Sequence, residues 1–154
     1  GRQQAQPAYH GLSSEEHQKL FEKYSGEGYV PINVSVVSVG RRLYYAAFYE
    51  EKNVDGYVLK SSLTQQEYQN LFDDMKAKKW DQVYINAYKH EGQTRFSVIW
   101  YEKSGYQSFA ATRKSSSDNY QQQWETHTGN GMLTRCVTGY EEGGKHWFAA
   151  QWSK

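Results

Sequence analysis

Ser13-Ser14-Glu15-Glu16-His17-Gln18-Lys19-Leu20-Phe21 reappears as Thr64-Gln65-Gln66-Glu67-Tyr68-Gln69-Asn70-Leu71-Phe72, and again as Ser116-Ser117-Asp118-Asn119-Tyr120-Gln121-Gln122-Gln123-Trp124. The spacings are 64 − 13 = 51 and 116 − 64 = 52 residues, a period that marks a chain written as copies of one supersecondary unit. Each copy opens like a helix. Ser13 with Glu16 and Thr64 with Glu67 have the capping-box spacing, whereas Ser116 with Asn119 keeps only the cap. Apolar or aromatic residues follow at i, i+3, i+4 and i+7: His17, Leu20, Phe21, Tyr24, then Tyr68, Leu71, Phe72, Met75. The third copy is weaker, with Tyr120, Trp124 and His127 on the face and Gln123 in place of Leu.

Working outward, period-two alternation takes over after each helix, with Ile32, Val34, Val36 set against Asn33, Ser35, and Val83, Ile85, Ala87 against Tyr84, Asn86, Tyr88. A glycine turn and a second alternating run then read as a β-hairpin. Further columns align Tyr29 with Trp80 and Met132, Gly40 with Gly92 and Gly144, and Phe48 with Trp100 and Trp152. This alignment needs one residue of slippage ahead of the first glycine. A third extended piece precedes each helix, in Ala8-Tyr9-His10-Gly11, Val58-Leu59-Lys60-Ser61 and Phe109-Ala110-Ala111-Thr112. The expected fold is α+β: three tandem strand-helix-strand-strand units of about 51 residues, with antiparallel sheets, one helix each and a pseudo-threefold arrangement. A flexible N-terminal segment, 1–7, precedes a single domain of units 8–56, 57–105 and 106–154. One unit cannot bury both its helix stripe and its sheet face, so the three pack on one another. Closure into a ring and open stacking both remain compatible with the sequence.

Composition removes several classes of function. The chain has 154 residues, with 18 Lys and Arg against 17 Asp and Glu, so binding driven by phosphate neutralisation is not expected. Its longest apolar runs are a few residues, as in Tyr44-Tyr45-Ala46-Ala47-Phe48-Tyr49, far below the roughly 20 that a spanning helix needs. Aromatic residues make up 16% of the chain while the mean hydropathy is −0.93, which implies a core built from rings. The lone Cys136 excludes an internal disulfide and a multi-cysteine zinc site.

Taken together, Tyr9-His10-Gly11-Leu12-Ser13, Tyr68-Gln69 with Phe72, Gly28-Tyr29, Gly92 and Phe96-Ser97-Val98-Ile99-Trp100 give a pattern that resembles the tandem repeat of the non-catalytic region of polyglycine hydrolases and of many secreted bacterial proteins, often beside a β-lactamase-type hydrolase domain. The resemblance spans about residues 8–152. Its columns drift, His10-Gly11 becoming Ser61-Ser62 and then Arg113-Lys114. The Ser-x-x-Lys nucleophile motif of the hydrolase domain does not occur here. The resemblance therefore implies an extracellular structural or binding module, adjacent in a longer precursor to a hydrolase, and carries no activity over.

Chemistry-bearing residues point the same way. The histidines His10, His17, His90, His127 and His146 contain no His-Glu-x-x-His pattern, and His17 and His127 fall in aromatic helix columns. Cys136 shares a strand column with Asn33 and Tyr84, the place of a packed thiol rather than of a nucleophile with a base. Asp73-Asp74 point apart on a helix surface, and Gly143-Gly144-Lys145 is a hairpin turn. Asn33-Val34-Ser35 is a glycosylation sequon inside an expected strand. No catalytic residue, metal ligand or cofactor is expected.

The remaining candidate surface is the strand face opposite the core. Ser35, Asn86 and Thr138 align there, flanked by Asn33, Tyr84 and Cys136 and by Val37, Tyr88 and Tyr140, with Tyr45, Ser97 and Ala149 from the closing strands. Rings beside amides and hydroxyls suit sugars or extended peptides, and the alternative is that these groups simply satisfy the sheet. The expected ligand-binding residues are Tyr84, Asn86, Tyr88, Thr138, Tyr140, Ser35 and Asn33. The expected function is a non-enzymatic, secreted binding or scaffold module for a polysaccharide, glycan or extended peptide, without nucleic acid or membrane insertion. Its rivals are a free-standing lectin with up to three sugar sites and a small enzyme with a pocket between units.

Overall fold

The computed structural model describes residues 8–154, so the expectation for residues 1–7 lies outside the described residues. Unit 1 runs β1 (Ala8–Leu12), α1 (Ser14–Gly26), β2 (Tyr29–Val39) and β3 (Arg42–Glu51). Unit 2 runs β4 (Tyr57–Leu63), α2 (Gln65–Ala77), β5 (Asp81–His90) and β6 (Gln93–Tyr101). Unit 3 runs β7 (Phe109–Ser115), α3 (Ser117–Gly129), β8 (Leu133–Glu142) and β9 (Lys145–Ser153). The closing strand of each unit lies in the middle of its antiparallel sheet, in the orders β1-β3-β2, β4-β6-β5 and β7-β9-β8.

Local chemistry sets the element boundaries. Glu16 N donates to Ser13 Oγ and Glu67 N to Thr64 Oγ1, each with the reciprocal glutamate bond of a capping box, while Ser116 caps α3 alone. Each helix exit needs one left-handed residue, which is Gly28 (φ 87°) and Gly131 (φ 85°) in the outer units and Lys79 (φ 63°) in the middle one. The long strands β2, β5 and β8 share a bulge, with the register breaking between Pro31 and Asn33, Gln82 and Tyr84, and Thr134 and Cys136.

The hairpins correct one detail of the sequence alignment. Val39 pairs Arg42, His90 pairs Gln93 and Glu142 pairs Lys145, so all three turns have two residues and no slippage exists. Gly40 (φ 61°) is the counterpart of Glu91 (φ 49°) and Gly143 (φ 61°); Gly92 matches Arg41 and Gly144. Glycine thus changes place within a turn of constant length, which in sequence looks like an insertion. The aromatic column shifts accordingly to Tyr49, Trp100 and Trp152, all 0% exposed, whereas Phe48 is 46% exposed. Tyr45 aligns with Phe96 and Phe148, and Ala46 is the true partner of Ser97 and Ala149.

Each sheet has a helix face, covered in part by its own helix, and a far face. On the helix face His17 stacks on Tyr45 with centroids 4.5 Å apart, and its Nδ1 meets the Tyr9 hydroxyl. Burial holds this imidazole below its usual range. In unit 2 the same positions are Tyr68 on Phe96 and Phe72 on Trp100, and in unit 3 Tyr120 lies on Phe148 and Trp152. The helix cannot cover a whole sheet, and the uncovered part of one helix face receives the far face of the next unit. Val34, Val36 and Tyr45 pack with Tyr84, Tyr88, Ile99 and Tyr101; Ile85, Ala87 and Phe96 pack with Cys136, Tyr140 and Ala149.

The units therefore form a row, β2 against β5 and β5 against β8, with unit 2 in the middle. Ring closure and open stacking are resolved in favour of the stack. The hydrophobic core begins between each helix and its own sheet and continues through the two junctions into the next unit. No described helix is long and apolar enough to cross a membrane.

Candidate functional site

The row divides the seven residues expected to bind ligand. Tyr84, Asn86 and Tyr88 belong to the far face of unit 2, which faces unit 1; Tyr88 is 7% exposed and its hydroxyl donates to Ser61 O at 2.6 Å. Thr138 and Tyr140 belong to the second junction, where Thr138 Oγ1 lies 3.4 Å from Ala87 O and Tyr140 Oη donates to Arg113 O at 2.6 Å. Burial pushes the Tyr140 hydroxyl up to about 12. Asn33 and Ser35 are half-buried on the far face of unit 1, which no described element covers. The structure brings these residues into three separate places, two of them closed by a neighbouring unit.

Cys136 sits in the second junction, with its Sγ accepting from Ile85 N at 3.4 Å. Burial raises the thiol from 9.0 to about 11, which lowers the thiolate fraction at neutral pH by about 100-fold. Folded protein is accordingly expected to react with a neutral-pH thiol reagent more slowly than urea-unfolded protein, by on the order of tenfold or more. Equal rates in a stopped-flow comparison would contradict this placement.

The open sites lie beside the junctions. Where the N-terminus of α1 and the first hairpin meet the end of β5, Ser13, Ser14, Glu15, Arg42, Leu43 and His90 line a crevice of about 530 Å³. Where α2 and the second hairpin meet the end of β8, Thr64, Gln65, Gln66, Gln93, Thr94 and Glu142 line one of about 400 Å³. Each residue lining the second has its counterpart in the first, Thr64 with Ser13 through to Glu142 with His90, because both crevices come from the same packing step; Gly11, Glu16 and Tyr44 line the first alone.

His90 of the first crevice has its Nδ1 2.7 Å from Ser38 Oγ. In the second, Glu142 Oε2 accepts from Thr94 Oγ1 at 2.7 Å and Gln65 Nε2 at 2.8 Å, and Oε1 accepts from Lys114 Nζ at 3.0 Å. The Thr94 bond first, then Lys114 and Gln65, hold this carboxyl below its usual range. Hydroxyls, amides and a fixed carboxylate are the hydrogen-bonding groups that these two crevices present. Among the described residues no group of three His, Cys, Asp or Glu gathers to hold a metal ion. His90, Thr94 and Glu142 escape sequence reasoning because their columns hold unlike residues, and only unit-on-unit packing brings them to one rim.

A family model described as "polyglycine hydrolase-like, structural repeat" matches residues 4–52, 55–103 and 107–154. The chain belongs to the polyglycine hydrolase-like structural repeat family. Its three matches correspond to the three polyglycine hydrolase-like units of the row, each with one three-stranded antiparallel sheet and one helix. A search of curated proteins finds no match to the chain. In this setting the polyglycine hydrolase-like repeat supplies a stacking frame, and the crevices are what the frame places at regular intervals.

Proposed function

We propose that the chain is a non-catalytic, extracellular binding or scaffold module that holds a polymeric ligand, a glycan or an extended peptide, along its row of inter-unit crevices. The recurrence at both junctions of one crevice, edged by hydroxyl, amide and charged side chains, carries this reading. A repetitive ligand spanning both gains from effective concentration, so two weak sites act as one stronger site. The open form of each crevice suits a chain laid across it, with apolar lining for contact and hydroxyl and amide groups fixing orientation.

The test is a combined glycan and peptide array, run on the wild-type chain and on two double variants, Glu15→Ala/Arg42→Ala and Gln66→Ala/Gln93→Ala. A long ligand is expected to lose at least tenfold in affinity with either variant, while a ligand too short to span retains one intact site. Blocking by free monosaccharide would assign the hit to sugar. A silent array, or hits indifferent to both variants, would overturn the assignment to the crevices.

A further inference from the structure

Among the described residues, the two outer faces of the row carry exposed apolar side chains in the columns that are buried at the junctions. On the helix face of unit 3, Val137 is 50% exposed, while its counterparts Val34 and Ile85 are 0% and 1% exposed under the next unit. Trp124 is 40% exposed; its counterparts Phe21 and Phe72 are met edge-on by Tyr57 and Phe109 from the first strand of the following unit. At the other end, the far face of unit 1 leaves Val37, Val39 and Phe48 exposed by 59%, 59% and 46%. Their counterparts Tyr88 and Ile99 in unit 2 are buried against unit 1. Among the described residues the exposed large apolar side chains all belong to units 1 and 3, and unit 2 has none. An array whose ends were sealed would carry polar outer faces.

We propose that a second copy of this chain docks head to tail, the helix face of unit 3 receiving the far face of unit 1 from the next molecule. The occupant follows from continuity with the two internal junctions, which join these same two kinds of face. Unit 3 offers Val137, Gly139 and Phe148 where units 1 and 2 use Val34, Val36, Tyr45 and Ile85, Ala87, Phe96. The two faces differ, so the contact is heterologous and a docked pair keeps one free face of each kind. Val37 stands where units 2 and 3 present a tyrosine ring, so the intermolecular contact is thinner than the internal ones and depends on concentration.

Sedimentation velocity on the full chain from micromolar to millimolar concentration tests this, with the exposed-site variants Val37→Glu and Val137→Glu. The wild type is expected to gain mass with concentration. Each variant alone is expected to weaken association by on the order of 100-fold and to sediment as a monomer. An equimolar mixture is expected to form a one-to-one pair and nothing larger, because each partner supplies the face the other has lost. A wild type monomeric throughout, variants that associate as the wild type does, or a mixture that stays monomeric would each overturn head-to-tail docking. Unchanged far-UV circular dichroism shows that either variant is folded.

Discussion

Trp100→Ala is expected to cost about 3–5 kcal/mol of folding stability, the largest loss from any single truncation in the chain. Trp100 is 0% exposed at the centre of unit 2, with Phe72 at 5.5 Å and Phe109 of unit 3 at 5.7 Å, both edge-on. Removing the indole deletes its own burial and leaves a cavity that strands from two units cannot close without moving each other. Domains of this size are stable by about 5–15 kcal/mol, so the variant loses a large part of its margin. Because unit 2 takes part in both junctions, its unfolding uncovers both neighbours, and one cooperative transition at lower urea is expected. The measurement is equilibrium urea unfolding followed by tryptophan fluorescence and far-UV circular dichroism. Coincident probes with a lowered midpoint fit this expectation; a midpoint within 0.5 kcal/mol of the wild type contradicts it.

Ile99→Lys and Phe48→Lys place one charge in the same column of two units and are expected to give opposite results. Ile99 is 0% exposed, sealed between unit 2 and the helix face of unit 1. An ammonium there has no partner, and its burial is expected to cost more than about 4 kcal/mol, enough to part the first junction or unfold the chain. Phe48, 46% exposed on the free far face, is expected to accept lysine within about 0.5 kcal/mol. Thermal unfolding of the two variants beside the wild type decides the matter. Equal destabilisation at both positions would mean that the far face of unit 1 is covered and the row runs differently.

Much of this architecture is readable from the residues. The caps at Ser13, Thr64 and Ser116, the aromatic stripe from His17 to Tyr24, and the alternation from Val83 to Tyr88 act within a few residues of chain, so local chemistry determines them. In sequence the hairpin column falls one place off in the first unit, because glycine is tolerated at either central position of a two-residue turn. Tyr88 and Tyr140 stand out in sequence as a shared column, and the structure gives them a shared task, tying the carbonyls of Ser61 and Arg113. Which face meets the next unit is not a local property. Val34 and Val137 are the same residue in the same column, and only position in the row makes one buried and the other half exposed. The crevices belong to this second class, since His90 and Glu142 become counterparts only once the units are stacked.

A core that continues from one unit into the next has an arithmetic consequence. Three units share two junctions, so a unit on its own has none and a pair has one. Each unit added beyond the first brings its full chain-entropy cost together with its own helix–sheet packing and a full junction, while the first has only its helix–sheet packing to set against the cost. Stability therefore rises more steeply than length in short arrays, and copying a middle unit is a more economical way to strengthen such a protein than improving either end.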